Sequence, residues 1–329
     1  MAAQKMDRAT YIKIRNSLNL EKKSSAPIIH ALQDVVLMAA TWALWNFYQH
    51  SALRFLMIPL LFCILFRGFG IMHDAVHGAV SKKRWINDLA GFIGGTFCIL
   101  PYENWKRAHL KHHQWSGNVE KDPVVALVIN YPKFKKSTQF FLSFFWMLWF
   151  PVLGILQQFI FWNISIRLYL KEPRSLKMLL SVALPVATWG VLLFATPTAF
   201  TATILIPTLF LYYLGVEVVN FPHHLQLPQF RGEHKFPVWE QFQTARSCVY
   251  PQWFARFVVL NFNFHIEHHM FPDVPWYHLD KLHEPVKSIL GEDYNTDPSF
   301  GWILKNKKVD LGQVLAPAEK EKPTELSAA

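Results

Sequence analysis

Fifteen histidines occur in this chain of 329 residues, and most of them fall into tight groups. His73-Asp74-Ala75-Val76-His77 follows an apolar run directly, and His109-Leu110-Lys111-His112-His113 lies in a polar middle segment. His265-Ile266-Glu267-His268-His269 lies further on. A fourth group, Asn220-Phe221-Pro222-His223-His224, has the same spacing with asparagine in the first place. On a helix, residues i, i+3 and i+4 share one face, so each group presents two or three imidazoles in one direction. One such group alone reads equally well as polar residues at a membrane boundary. Three groups plus Asn220–His224, each beside an apolar run, call for a shared reason, and metal supplies one. A zinc hydrolase uses about three histidines and keeps an open position. Eight or nine imidazoles are too many for one ion and suit a pair. A membrane haem protein would need isolated histidines inside facing spans, not tandem pairs at their ends. All-imidazole ligation suits iron, zinc or copper, and spacing alone does not select among them.

The elements that must carry these groups are membrane helices. Hydrophobic residues make up 52% of the chain, including 28 Phe and 13 Trp, and the mean hydropathy is positive at +0.14. Charged residues are only 17% of the chain, against about a quarter in a typical soluble domain. Disorder, collagen and a disulfide scaffold are excluded by so much apolar and aromatic content. Cys63, Cys98 and Cys248 are far apart and form no metal or redox motif, so they read as small core hydrophobes. A spanning helix needs roughly 20 apolar residues, and four segments qualify: 28–48, 53–72, 178–196 and 199–219. Short connections near Gln49–Ala52 and Pro197 make each pair a predicted transmembrane hairpin.

The formal charge of +10 is not spread evenly. Lys22-Lys23, Lys82-Lys83-Arg84, Lys133 with Lys135-Lys136, and Lys305 with Lys307-Lys308 form short clusters between the apolar runs. That is the pattern of cytoplasmic loops facing anionic lipid, and no nucleic acid is expected as a partner. By the positive-inside rule both termini and the middle segment are cytoplasmic. Residues 1–27 read as a basic amphipathic lead-in without the apolar core of a signal peptide. Residues 28–290 read as the membrane domain, and 291–329 as a cytoplasmic tail with a disordered charged end from Pro317. Asp88–Pro101 is too short to span, and its Gly91, Gly94 and Gly95 read as close-packing positions in a re-entrant or buried helix. A single crossing by 138–166 would separate the histidine groups onto opposite faces. It is expected to be an interfacial helix, helped by Trp146, Trp149 and Trp162. The fold class is therefore an all-α integral membrane protein: four transmembrane helices in two hairpins, with a cytoplasmic helical cap carrying a dimetal site.

The order HxxxH, HxxHH, HxxHH on four spans resembles the membrane fatty-acid desaturase family. The flanks are similar too: Trp105 to His109, Ser116-Gly117-Asn118 to Asp122-Pro123, Asn261 to Phe264, and Met270-Phe271-Pro272 with Pro275. The resemblance covers roughly residues 35–290. It implies two non-haem irons, with His73, His77, His109, His112, His113, His265, His268 and His269 as ligands. The family's NxxxH element falls on Asn220 and His224, implying a ninth imidazole and an amide that holds a water, a catalytic role for Asn220. His223 does not match that element. Asp74 and Glu267 read either as hydrogen-bond partners of ligand imidazoles or, equally, as surface charges. His30 and His50 read as boundary residues, and His234, His278 and His283 as loop or amphipathic-helix residues.

The implied reaction uses O2 as co-substrate and removes hydrogen from an unactivated C–H bond of a fatty acyl chain. Loss of two vicinal hydrogens makes a double bond, the outcome that the resemblance favours. Return of oxygen would make an alcohol, as in related carotenoid and alkane hydroxylases or ketolases. With no His-Pro-Gly-Gly signature and no ferredoxin cysteine pattern, the electrons are expected from a separate ferredoxin-like or cytochrome b5-like donor. That donor is expected on the basic cytoplasmic face, in a bacterial inner membrane or endoplasmic reticulum. A non-catalytic metal-binding membrane protein is the reading from another class. Transporters place polar residues mid-span or at repeat interfaces, and this chain shows no internal repeat.

Overall fold

The computed structural model describes residues 6–171, 175–298 and 300–316. Four helices in it are long and apolar enough to cross a membrane. The first is α2 (Ala26–Tyr48), preceded by α1 (Arg8–Ser17), and the second is α3 (Met57–Val76) with the short 3-10 turn before it. Next come α4 (Arg84–Phe97), α5 (Tyr102–Trp115), α6 (Ala126–Asn130), α7 (Lys136–Met147) and α8 (Val152–Lys171). The third long helix is α9 (Leu176–Ala195). The fourth runs from α10 (Thr198–Phe200) through a π-helical turn at Thr201–Leu205 into α11 (Ile206–His224). Small helices complete the chain: α12 (His265–Met270), α13 (Leu279–Leu290), α14 (Gly301–Asn306) and α15 (Leu311–Leu315).

The second and fourth spans do not stop where the apolar sequence stops. α3 continues to Val76 and α11 to His224, so His73, His223 and His224 sit on the last turns of long helices rather than beyond them. Backbone hydrogen bonding is cooperative along a helix, and polar residues at its end do not break it. Pro222 lies inside α11 without ending it.

α3 is the central strut, packing on α2, α4 and α11, while α9 lies against α4 and α5. Glycine makes the α3–α4 contact possible. A Cβ on Gly94 would strike the carbonyl of Gly68, and one on Gly91 would fall on the Tyr102 ring. Polar side chains also tie α2 to α3. Arg67, fully buried, bonds Asp34, and its guanidinium reaches Gln33 Oε1 (2.8 Å) and the Phe257 carbonyl (2.9 Å). His30, expected at the membrane boundary, is buried in this cluster with its Nε2 3.0 Å from Asp34.

The stretch 138–166 is not one helix. It breaks at Leu148–Pro151, where Trp149 takes φ +61° and Pro151 cannot continue the preceding helix, giving α7 and α8. Trp146, expected at a lipid interface, is fully buried and donates Nε1–H to the Asn306 carbonyl at 3.0 Å. The polypeptide after residue 290 packs back on this region. Lys307 pairs with Glu217 of α11 at 2.6 Å, both side chains wholly buried, and Leu311 N–H donates to Ser143 Oγ of α7. A short parallel pair, β1 (Ser247–Val249) with β2 (Thr296–Pro298), departs from a purely helical expectation. It satisfies extended backbone between α11 and α12 that no helix covers. The tail expected to be disordered from Pro317 onwards lies outside the described residues.

Candidate metal centre

Helices from four separate parts of the sequence deliver the histidines to one place. α3 supplies His73 with His77 at its C-cap, α5 supplies His109, His112 and His113, α11 ends on His224, and α12 is built from the third group. All nine expected ligands come together, in two sets: His73, His77, His109, His113 and His268, and His112, His224, His265 and His269. Within each set the candidate ligand nitrogens lie within 4.8 Å of one another. Seven of the nine residues are buried, and His77 and His113 are half-buried. Burial holds the rings of His77, His109, His113, His265, His268 and His269 well below the usual imidazole range, and neighbouring rings push the same way. They are neutral, the form that ligates metal.

Hydrogen bonds on the far side of the rings decide where their lone pairs point. His112 Nδ1 lies 2.8 and 2.9 Å from the two oxygens of Asp122, which can only accept when ionised. His224 Nδ1 donates to the Thr244 carbonyl at 3.1 Å, and His269 Nδ1 donates to Gln241 Oε1 at 3.1 Å. The orientation of that amide follows from its own Nε2, which donates to the His113 carbonyl at 2.8 Å. In the neutral form that ligates metal each of these three rings has one N–H, which these contacts place at Nδ1, so each Nε2 carries a lone pair. Yet His112 Nε2 sits 3.3 Å from His269 Nε2, and His224 Nε2 and His269 Nε2 sit 2.7 and 3.2 Å from His265 Nε2. At least one of those contacts, between His112 and His269, is lone pair against lone pair. It is repulsive alone and attractive around a cation, so the donor set fits a metal.

The other set has the same character. His109 Nε2 is 2.9 Å from His77 Nε2 and 3.2 Å from His113 Nε2, which is 3.0 Å from His268 Nε2. His73 Nε2 is buried with no hydrogen-bond partner among the described residues. Aromatic rings wall the centre. Trp105 stacks on His109 (4.5 Å between centroids), and Phe262 sits between His73 and His265, at 4.9 and 4.8 Å.

Asn220 is half-buried one turn before His224 on α11. His223 is fully buried, stacks on His265 at 4.2 Å, and has neither ring nitrogen hydrogen-bonded among the described residues. The acidic residues inside the groups do not act as expected. Glu267 accepts from Ser247 Oγ (2.8 Å), Tyr294 Oη (2.7 Å) and His283 Nδ1 (3.0 Å), and so ties α12 to β1 and α13 instead of to a ligand ring. Asp74 Oδ1 stays 3.8 Å from His73 Nδ1, while its Oδ2 accepts the Trp276 N–H at 2.8 Å.

The groups that do orient the ligand rings were not singled out from sequence. Asp122 stood only in a flanking motif, and Gln241 and Thr244 carry no local pattern. Arg246 completes the frame: its guanidinium donates to the Pro222 carbonyl at 2.6 Å, and its own N–H donates to the His223 carbonyl at 2.9 Å, clamping the end of α11. A side chain able to reach helix-end carbonyls from a distant loop leaves no periodic trace.

Comparison with known proteins agrees with this geometry. The sn-1 acyl-lipid omega-3 desaturase (ferredoxin) of Nostoc sp. (strain 36) is 25% identical over 292 residues, covering 84% of this chain and 79% of that protein. The temperature-sensitive sn-2 acyl-lipid omega-3 desaturase (ferredoxin), chloroplastic, of Arabidopsis thaliana is 26% identical over 86% of this chain and 67% of its own length. The Delta(12) fatty acid dehydrogenase of Crepis alpina is 27% identical over 78% of this chain and 70% of its own. The family model described as Fatty acid desaturase matches residues 52–300. That match spans the second, third and fourth long helices and all nine clustered imidazoles, and the chain accordingly belongs to the fatty acid desaturase family of oxidoreductase enzymes.

Proposed function

We propose that this protein introduces a double bond into a lipid-borne fatty acyl chain, using O2, two irons and electrons from a ferredoxin-type donor. The observation that carries this reading is the convergence of buried neutral imidazoles, with lone pairs turned inward, in two adjacent sets. In this reading His73, His77, His109, His113 and His268 hold one iron, and His112, His224, His265 and His269 hold the other. When bound, the irons supply the O2-derived oxidant that removes hydrogen from an unactivated C–H bond. The chain's own residues do the rest. Asp122, Gln241 and the Thr244 carbonyl hold three ligand rings in the Nδ1–H tautomer, which fixes Nε2 as the ligating atom. Asn220, one turn before His224, holds a water by its amide rather than ligating, since an amide is a weak ligand beside imidazole. Phe262 and Trp105 exclude bulk water and leave an apolar approach for a methylene chain.

The four long helices form two membrane hairpins, α2–α3 and α9–α11, with the termini and the histidine-bearing helices on the cytoplasmic side. Residues 28–290 make up the membrane domain, between the lead-in 1–27 and the segment 291–329. The basic clusters between apolar runs support that orientation. The ferredoxin in the names of the Nostoc and Arabidopsis relatives supports a ferredoxin-type donor.

Two measurements test the reading. Metal analysis of the purified chain is expected to find about two irons per chain, where a single labile zinc would defeat it. Lipid analysis of an expressing host is expected to find a new double bond. Hydroxylated lipid without one would move the assignment to a hydroxylase.

A further inference from the structure

A cavity of about 720 Å³ lies outside the imidazole clusters, between the segment after α5 and the segment after α11. Its walls include Val128 and Ile129 of α6, and Lys133, Arg231 and Glu120 also line it. Gln229 lines it as well; this residue is 7% exposed, and its carboxamide has neither nitrogen nor oxygen hydrogen-bonded among the described residues. A buried amide with both functions unmet is an expensive arrangement unless a ligand completes it. The volume falls in the range of small-molecule sites.

From this cavity we infer a binding site for the phosphodiester head of a glycerophospholipid that carries the acyl substrate, an inference that rests on the desaturase reading. Charge selects the class. Lys133 and Arg231 supply two positive charges and Glu120, 3.6 Å from Arg231, supplies one negative, leaving a single net positive charge for one phosphodiester. A coenzyme A thioester, with several phosphate charges, is poorly matched to that surplus. A neutral glycolipid leaves it uncompensated. The free carboxamide of Gln229 can both donate and accept, as phosphate and ester oxygens with glycerol or head-group hydroxyls require. Location agrees. Lys133 stands three residues before α7, whose exposed Phe140, Phe141, Phe144 and Met147 make an apolar face suited to the bilayer surface.

The cavity is also wired to the metal centre through the backbone. Val119 N–H donates to the Phe230 carbonyl and Phe230 N–H to the Gly117 carbonyl, at 3.1 and 3.2 Å. Gly117 N–H donates in turn to Asp122 Oδ2 at 3.0 Å, the carboxylate that orients His112. The head group is thereby seated on the same hydrogen-bonded unit that fixes a ligand ring.

The test uses the full-length chain in detergent, with bound lipid read by native mass spectrometry. The probes are dioleoylphosphatidylglycerol, dioleoylglycerol, a monogalactosyl analogue and oleoyl-CoA. The wild-type chain is expected to retain the phospholipid over the other three. Gln229→Leu and the double charge reversal of Lys133→Glu with Arg231→Glu should each weaken that retention by roughly tenfold, with metal content and helicity unchanged. The reversals lie at exposed positions, so they keep the test available should Gln229→Leu fail to fold. Equal retention of dioleoylglycerol or the galactolipid, preference for oleoyl-CoA, or variants that bind like wild type would each overturn the assignment. Metal content and lipid desaturation, measured separately, report on the dimetal reading, so the two cannot fail unnoticed together.

Discussion

At the scale of single residues, the roles around the centre are set by which nitrogen of each ring keeps its proton. Asp122→Asn replaces an obligate acceptor of the His112 Nδ1–H by an amide that can present its NH2 instead. Metal affinity is expected to fall about 10- to 100-fold, read by chelator competition, while helicity stays unchanged. Unaltered affinity would mean that the carboxylate only supports the Gly117–Val124 turn, whose Gly117 and Val124 N–H groups it also accepts. The α11 terminus offers a second comparison. His224→Ala is expected to lose metal and activity together, whereas Asn220→Ala should keep most of its iron and turn over much more slowly. His223→Ala should have an effect between weak and none, because its ring packs face to face on His265 and has no hydrogen-bond partner among the described residues. Full iron in His224→Ala with loss in His223→Ala, by metal analysis beside product assay, would exchange the two assignments.

At the scale of elements, the histidine-bearing helix ends are held by contacts far from any ligand. Glu217 sits nearly two turns before His223 and His224 on α11. It accepts the N–H groups of Leu153 and Gly154 at 2.8 and 3.1 Å and pairs with Lys307. Lys307 also lies 3.7 Å above the Trp146 ring. The pair thus joins α7, α8, α11 and α14 at one buried point. Removing one member leaves the other charge without its partner, a loss of about 3–5 kcal/mol for a buried pair. Lys307→Met should therefore lower the unfolding midpoint markedly, and adding Glu217→Gln should recover part of the loss. A double variant no better than the single would show that packing of the lysine stem, not charge, is what matters. Thermal unfolding in one detergent, monitored by circular dichroism, gives the comparison.

For the molecule as a whole, the cluster of buried imidazoles ties stability to pH when no metal is bound. The rings of His77, His109, His113, His265, His268 and His269 have folded-state values well below 6.5, while the unfolded chain titrates near that value. Below it the unfolded state binds more protons than the folded one, so stability rises with pH up to the unfolded value and is lost as pH falls through it. Each ring contributes up to about 1.4 kcal/mol per pH unit. The metal-stripped chain is expected to show an unfolding midpoint that is flat above about pH 7 and falls steeply below. A midpoint unchanged down to about pH 5 would mean that the rings are solvated rather than buried.

How much of this was legible beforehand depended on how local each signal is. Four apolar runs of spanning length and imidazoles repeated at helical spacing are properties of contiguous residues, so the long helices and all nine clustered histidines could be read from the chain directly. The close-packing glycines at 91 and 94 were readable for the same reason. What failed was anything decided by a neighbour distant in sequence. His30 and Trp146 read as boundary residues because their local surroundings are apolar, but Arg67 and Asn306 bury them. Glu267 lies between two ligands in sequence, yet points away from both to Ser247 and Tyr294. Asp122 and Gln241 gain their meaning only when α5, α11 and α12 meet. The division of nine imidazoles into five and four is likewise tertiary, since His112 parts from its neighbour His113 to face His269, 157 residues away. Helical periodicity determines that side chains share a face. Only the packing of helices separated by long stretches of chain determines which lone pairs meet, and therefore where a metal can sit.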